Sequence, residues 1–322
     1  MKIGYLDFPL GLSLAPMAGF SDRAMRLLCH KWGAEYSVSE MISATAVTFG
    51  DKKTASLARI EKDEGPVGLQ LFGSVPEVMG EAARIITESY KDTHPSFIDI
   101  NMGCPVHKIF SNGEGSALMK DPSKIEKIVR AVKDSVNIPV TVKIRTGIDE
   151  NSINAVDCAL AAEAGGADAL CIHGRTRKQM YSGNVDRKTI REVKRCLHIP
   201  LIANGDINSK EDAISMLSET GADGLAIGRG AVGNPFIFDE ISSFITGKEY
   251  REKTLEEKID TALYQLRIAV EDKGERVAVC EARKQIALYI KGFRGASTVR
   301  EEINKALTYS QVEKIFLSLK NI

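Results

Sequence analysis

The sequence has no net charge: 43 basic residues balance 43 acidic ones over 322 positions. That balance removes the bulk electrostatic signature of a nucleic-acid binder, so any RNA contact has to use a local basic face. No CxxC pair occurs. The six cysteines (29, 104, 158, 171, 196 and 280) are scattered, which argues against a disulfide framework or a zinc site and fits a reducing cytosol. No two of the histidines at 30, 94, 107, 173 and 198 have metal-ligand spacing, so no metal is expected. No run approaches the roughly 20 apolar residues needed to span a bilayer, and Met1–Leu10 lacks the apolar centre of a signal peptide. No glycine-rich dinucleotide fingerprint is visible. A soluble cytoplasmic monomer with no membrane partner is expected.

What is there is a strong alternation. Eight short β-like runs recur: Leu12–Ala18, Glu35–Met41, Val67–Phe72, Phe97–Asn101, Val140–Arg145, Ala169–His173, Leu201–Asn204 and Gly224–Gly228. Several are nearly all apolar, as parallel strands buried on both faces should be. Helical segments intervene. Ser21-Asp22 caps one, Pro76 opens another through Tyr90, Asp121-Pro122 opens a third, and Ser209 caps a fourth. Eight βα units within residues 1–245 fit a TIM barrel, usually about 250 residues long. A doubly wound open sheet is the competing architecture. After Thr246-Gly247-Lys248 the pattern turns helical to the end, which predicts a second domain at 246–322, a small helical bundle.

A barrel does its chemistry at the carboxyl ends of its strands. Here polar and glycine residues gather there: Ala15-Pro16-Met17-Ala18-Gly19, Gln70, Asn101 to Cys104, Lys143 and Arg145, His173-Gly174-Arg175, Asn204-Gly205-Asp206 and Gly228-Arg229-Gly230. The last two loops suit a phosphate, with backbone N–H groups, Arg229 and a helix expected to begin near Ala231. Lys143 alternates with Val140, Val142 and Ile144, so its side chain points into the barrel. A buried ammonium there needs a partner: a barrel carboxylate, a flavin ring that turns anionic on reduction, or a carbonyl substrate forming a Schiff base. Gln70 offers donors and acceptors to a flavin edge or to neighbouring backbone. His173 is either a ligand-binding donor or a satisfied core histidine. Cys104 stands between Gly103 and Pro105 at a strand end, and reads either as a small buried hydrophobe or as a presented thiol.

Taken together and in order, these motifs resemble the tRNA-dihydrouridine synthases. The matching pieces are Ala15-Pro16-Met17-Ala18-Gly19, Gln70-Leu71-Phe72-Gly73, Asn101-Met102-Gly103-Cys104-Pro105 with Lys108, Lys143-Ile144-Arg145-Thr146-Gly147, His173-Gly174-Arg175-Thr176, Asn204-Gly205-Asp206-Ile207 and Gly228-Arg229-Gly230. The resemblance implies an FMN-containing TIM barrel, a helical domain that helps hold tRNA, and reduction of the uracil double bond in tRNA with NADPH as the electron donor. It implies that Pro16, Met17 and Ala18 border the flavin ring, and that Gln70, Lys143 and His173 bind its polar edge. Asn204, Gly205, Asp206, Gly228 and Arg229 would hold the phosphate. Cys104 would be the acid, and Asn101, Lys108, Arg145 and Arg175 would meet the substrate. The sequence departs from the family pattern at Glu114, where a small apolar residue is more usual and where an acid would weaken nearby phosphate contacts.

The segment Arg283–Lys305 carries six basic residues against Glu301 and Glu302, a local net of +4. Its turn Lys291-Gly292-Phe293-Arg294-Gly295 sets two cations beside an aromatic, which suits a phosphate backbone, or is a solvated helical face. Three other readings compete with tRNA reduction: an FMN-dependent small-metabolite enzyme of the dihydroorotate dehydrogenase type, a Schiff-base lyase using Lys143, and an RNA-binding scaffold.

Overall fold

The computed structural model describes residues 1–51, 54, 57–89 and 93–319. Eight parallel strands close on themselves: β1 Leu12–Leu14, β2 Tyr36–Val38, β3 Val67–Phe72, β4 Phe97–Asn101, β5 Val140–Arg145, β6 Ala169–His173, β7 Leu201–Asn204 and β8 Gly224–Ile227. Each pairs with its sequence neighbours, and β8 pairs with β1 through Leu225, Ala226 and Ile227 against Leu12, Ser13 and Leu14. The sheet is therefore a TIM barrel and not an open doubly wound sheet. Five of the eight strands have the boundaries read from their apolar runs. The first two are shorter: past Leu14 and Val38 the Ala15 and Ser39 N–H groups still bond to Ile227 O and Gly68 O, and Pro16, without an N–H, cannot continue the first ladder.

Alternation sorts the side chains into two cores. In β4 and β5, Ile98, Ile100, Val140, Val142 and Ile144 face outward into a large apolar layer shared with the surrounding helices. The inward set at the amino end of the barrel, with Ile3, Phe8, Tyr36 and Phe97, is apolar too. Each such side chain contributes roughly 1.5–3 kcal/mol on burial. An antiparallel hairpin, Lys2–Ile3 with Leu6–Asp7, lies at this end. Above it the inward residues turn polar: Asp99 is opposite Gln70 and Thr141, and Asn101 is opposite Lys143.

The covering helices are α1 Arg23–Lys31, α2 Pro76–Ser89, α3 Pro122–Ser135, α4 Ala155–Ala164, α5 Arg187–Cys196, α6 Lys210–Thr220 and α7 Ile237–Ile245. Asp22, Asp121 and Ser209 cap α1, α3 and α6 by accepting from backbone N–H groups. The second helix was read through Tyr90, which lies outside the described residues. Helices α4 and α5 went unread, because Ala-rich α4 shows almost no amphipathic contrast and charged α5 carries few apolar marks.

Four helices follow: α8 Leu255–Lys273, α9 Glu275–Ile286, α10 Ala296–Ile303 and α11 Tyr309–Leu319. Thr254 and Glu257 form a capping box at the start of α8. The four share an apolar cluster that includes Leu266, Ile286, Ile303 and Phe316, and Trp32 from the end of α1 packs against it. Trp32 stands edge-on to Phe236 at 4.7 Å between ring centres.

Candidate active site

A cavity of about 450 Å³ opens at the carboxyl ends of the strands, within the roughly 300–1,000 Å³ usual for small-molecule sites. Fourteen of the residues singled out from sequence line it: Pro16, Met17, Ala18, Gln70, Asn101, Cys104, Lys143, Arg145, His173, Asn204, Gly205, Asp206, Gly228 and Arg229. Lys108, Arg175, Lys291 and Arg294 do not.

Cys104 is 8% exposed and is fixed by its backbone. Its N–H and that of Gly103 both donate to Asn101 Oδ1, at 2.9 and 3.2 Å. Its carbonyl accepts from Ser116 Oγ at 2.7 Å. Gly115, with φ of +57°, lies so close that an added Cβ would stand 2.9 Å from the cysteine's own Cβ. Burial pushes the thiol pKa up, against weaker pulls from the Val106 backbone and the Arg145 charge. At neutral pH the group is a protonated acid, not a thiolate nucleophile. Asn101, expected to meet the substrate, lines the cavity, and its amide also donates to Gln70 Oε1 at 2.8 Å and accepts from the Cys104 loop.

Arg145 is threaded through carbonyls, donating to Gly103 O at 2.8 Å, Thr176 O at 2.9 Å and Met180 O at 3.0 Å. Burial pushes its pKa down to about 10, so the charge persists at neutral pH. Gln70, 1% exposed, is likewise held: its Nε2 donates to Asp99 Oδ2 at 2.6 Å.

Lys143 donates to Asn204 Oδ1 at 3.1 Å. No carboxylate pairs with it among the described residues, so the expectation of a barrel-carboxylate partner is not met. Burial lowers its pKa, against the Cys171 thiol, which raises it. His173 is 8% exposed. Its pKa is held far below the ordinary range, first by burial and then by the charges of Lys143, Arg145, Arg175 and Arg229, so the ring is neutral. Among the described residues its buried Nε2 has no hydrogen-bond partner, an atom that a polar ligand would satisfy.

The phosphate loops differ from expectation. Asn204 does not reach outward: its Nδ2 donates to Ala226 O at 2.6 Å while its Oδ1 holds Lys143. The Asp206 carboxylate takes Arg175 in a two-pronged ion pair at 2.9 and 2.5 Å, and Arg229 at 3.2 Å. A carboxylate repels phosphate, so Asp206 can offer an anion only its backbone N–H. Arg175, 2% exposed, serves this pair and bonds Ser182 O and Gly183 O; it is a buried brace. Gly205 has φ of +124°, and a Cβ there would meet Val185 at 2.7 Å. Arg229 is the exposed one of the two cations on Asp206, its side chain 53% exposed. The helix expected near Ala231 is a single 3₁₀ turn, Arg229–Ala231, and α7 begins only at Ile237.

Some cavity residues had no sequence signal. Tyr181, 54% exposed, stands at the mouth under the Arg229 guanidinium, 5.0 Å from ring to cation. Its neighbour Met180 has φ of +50°. Phe20 and Met41 also line the cavity. Helix α9 reaches the same rim: Gln285 donates to Gly19 O at 3.2 Å, and Lys284 lies 4.5 Å from the Phe20 ring centre. Lys273 at the end of α8 pairs with Asp22 at 2.7 Å. Lys108, Lys291 and Arg294 are exposed away from the cavity lining, and the cation over Phe293 is Lys258. Glu114 is half-buried, and burial raises its pKa.

The family described as Dihydrouridine synthase (Dus) matches residues 13–321. A protein named tRNA-dihydrouridine synthase B from Vibrio cholerae serotype O1 is 40% identical over 97% of this chain and 96% of its own length. A probable tRNA-dihydrouridine synthase from Treponema pallidum is 38% identical over 92% of this chain and 88% of its own. Among solved structures, 6-hydroxypseudooxynicotine amine oxidase from Pseudomonas geniculata N1 matches with a TM-score of 0.58 at 12% identity. That match covers 77% of this chain and 49% of the other, so the chain spans about half of that structure and the likeness is one of fold alone. On its barrel, its ordered motifs and these matches, the chain belongs to the dihydrouridine synthase family.

Proposed function

We propose that this protein reduces uridines in tRNA to 5,6-dihydrouridine, with FMN held in the barrel-mouth cavity and NADPH as its reductant. One observation carries the reading. A buried protonated thiol, a lysine without a carboxylate and a buried imidazole nitrogen without a partner share one cavity.

The residues present fit a flavin phosphate. Lys143 and His173 would meet the polar edge of the ring, Met17 and Ala18 would border it, and Gly205, Gly228 and Arg229 would take the phosphate. When bound, the flavin supplies the hydride that reduces the uracil ring. Addition of hydride to C6 of a conjugated enone leaves an enolate at C5 that needs a proton. Cys104 Sγ–H donates that proton, and the thiolate left behind is stabilised by the nearby Arg145 charge until solvent reprotonates it. The target base is stacked in folded RNA, so it has to swing out to enter a cavity this deep. Residues 246–322 serve as the tRNA-holding domain, with Lys284 at the cavity rim and Lys108, Lys291 and Arg294 further out along the RNA backbone. Without a dinucleotide fingerprint, NADPH visits the same cavity and leaves before RNA enters.

The test is an anaerobic visible spectrum of the protein loaded with FMN, reduced with NADPH and then mixed with unmodified tRNA. Return of the oxidised bands with tRNA, but not with free uridine or fumarate, is the expected result. Reoxidation by a small enone instead of tRNA would move the protein to a metabolite reductase. Failure to take up FMN would sink the flavin reading.

A further inference from the structure

One carboxylate lies below the cavity floor, behind Gln70. Asp99 is 3% exposed, faces inward from the middle of β4, and does not line the cavity. It accepts two short hydrogen bonds, from Thr141 Oγ1 at 2.5 Å and from Gln70 Nε2 at 2.6 Å. The second begins a chain. Gln70 Oε1 accepts from Asn101 Nδ2 at 2.8 Å, and Asn101 Oδ1 accepts from the N–H groups of Gly103 and Cys104.

The chain has only one self-consistent direction. Backbone N–H groups can only donate, so the Asn101 oxygen must face the Cys104 loop and its nitrogen must face Gln70. The Gln70 oxygen must then face Asn101, which turns its nitrogen down into the barrel. A nitrogen at that place needs an acceptor, and Asp99 Oδ2 is the one it meets. Both ends of the chain therefore demand the same orientation of two side-chain amides. A buried Gln70 amide without its acceptor would be free to turn over; the turn sets its nitrogen against the Asn101 nitrogen, and if Asn101 turns in answer, donor meets donor at the Cys104 loop.

We propose that Asp99 is a positioning residue for Cys104, fixing the thiol's loop through the Gln70 and Asn101 amides. The same orientation decides which atoms Gln70 turns toward a ligand in the cavity. The catalytic consequence rests on the reduction proposed above; the placement of the loop does not.

The experiment compares alkylation of Cys104 by iodoacetamide, read peptide by peptide by mass spectrometry, in the full-length wild-type protein and three variants. Asp99→Leu removes the acceptor and should speed Cys104 alkylation on the order of tenfold. Asp99→Asn keeps an acceptor oxygen and should stay within about twofold of wild type, as should Thr141→Val, which removes the carboxylate's other partner. In the FMN-loaded protein, Asp99→Leu should slow reoxidation by tRNA by a similar factor while reduction by NADPH changes little. Equal alkylation in Asp99→Leu and wild type, or the same rise in Thr141→Val, would overturn the proposal. If Asp99→Leu does not fold, Gln70→Leu cuts the chain one link nearer the thiol and must show the rise; wild-type alkylation there overturns it equally. Should wild-type protein fail to reduce tRNA, the proposed function falls while the alkylation comparison still decides the role of Asp99.

Discussion

Around Cys104 the polar groups are matched: Asn101 holds two backbone N–H groups, Ser116 holds the carbonyl, and Arg145 is tied to three carbonyls. At the ends of β6 and β8 the same cavity is provisioned differently. His173 keeps a buried nitrogen without a partner, and Arg229 leans half-exposed on Asp206 and Tyr181. The difference suits the two tasks of the proposed reduction. A group that delivers a proton to one carbon from one face is best placed in advance. Groups that receive a cofactor's phosphate and ring atoms keep bonding capacity in reserve.

Breaking the placed side should have the largest effect. Cys104→Ala should lower dihydrouridine formation by about 10²–10⁴-fold, while FMN content and reduction by NADPH persist; undiminished turnover on unmodified tRNA would remove the thiol from the mechanism. Gly115→Ala forces a side chain into a left-handed backbone against Cys104, costing about 1–2 kcal/mol of stability. It should depress the tRNA-dependent step more than the NADPH-dependent one, as stopped-flow would show. The provisioned side should answer to the cofactor alone. Arg229→Ala should weaken FMN binding about tenfold yet leave riboflavin binding unchanged, and equal losses for both would place the phosphate elsewhere.

A pH profile sharpens the contrast. Burial raises the Cys104 pKa, and in the proposed mechanism the protonated form is the one that reacts. The tRNA-dependent rate should therefore hold through neutral pH and fall only above the ordinary thiol range; a fall on the acid side would point to a different group. The smallest effect belongs to the junction between the barrel and the helical tail. Lys273→Met breaks the partly exposed pair with Asp22 and should cost about 0.5–1 kcal/mol in denaturant unfolding.

The contrast also explains what was legible in the sequence. The strand Val140–Arg145 is legible to the residue because Val140, Val142 and Ile144 alternate with Thr141, Lys143 and Arg145, one set facing the helices and the other the barrel interior. Residues at strand ends were legible as a rim because polar and glycine residues gather there. Their partners were not. Asn204 and Asp206 carry the residue types of a phosphate loop, but whether a side chain turns outward or back onto Lys143 or Arg175 is decided by strands far away in sequence. Arg175 looked like a ligand because a buried arginine and an exposed one are spelled alike. Tyr181 sits in a turn and Ser116 in a short 3₁₀ helix, Gly115–Lys120, and only closure of the barrel brings them to the site.

The apolar end of the barrel bears on the traffic through it. With Ile3, Phe8, Tyr36 and Phe97 closing the base, the cavity opens, among the described residues, at the carboxyl ends of the strands. Under the proposed function a spent nicotinamide and a finished RNA would both leave by the way they came, so that turnover becomes a matter of queueing in which each visitor blocks the next.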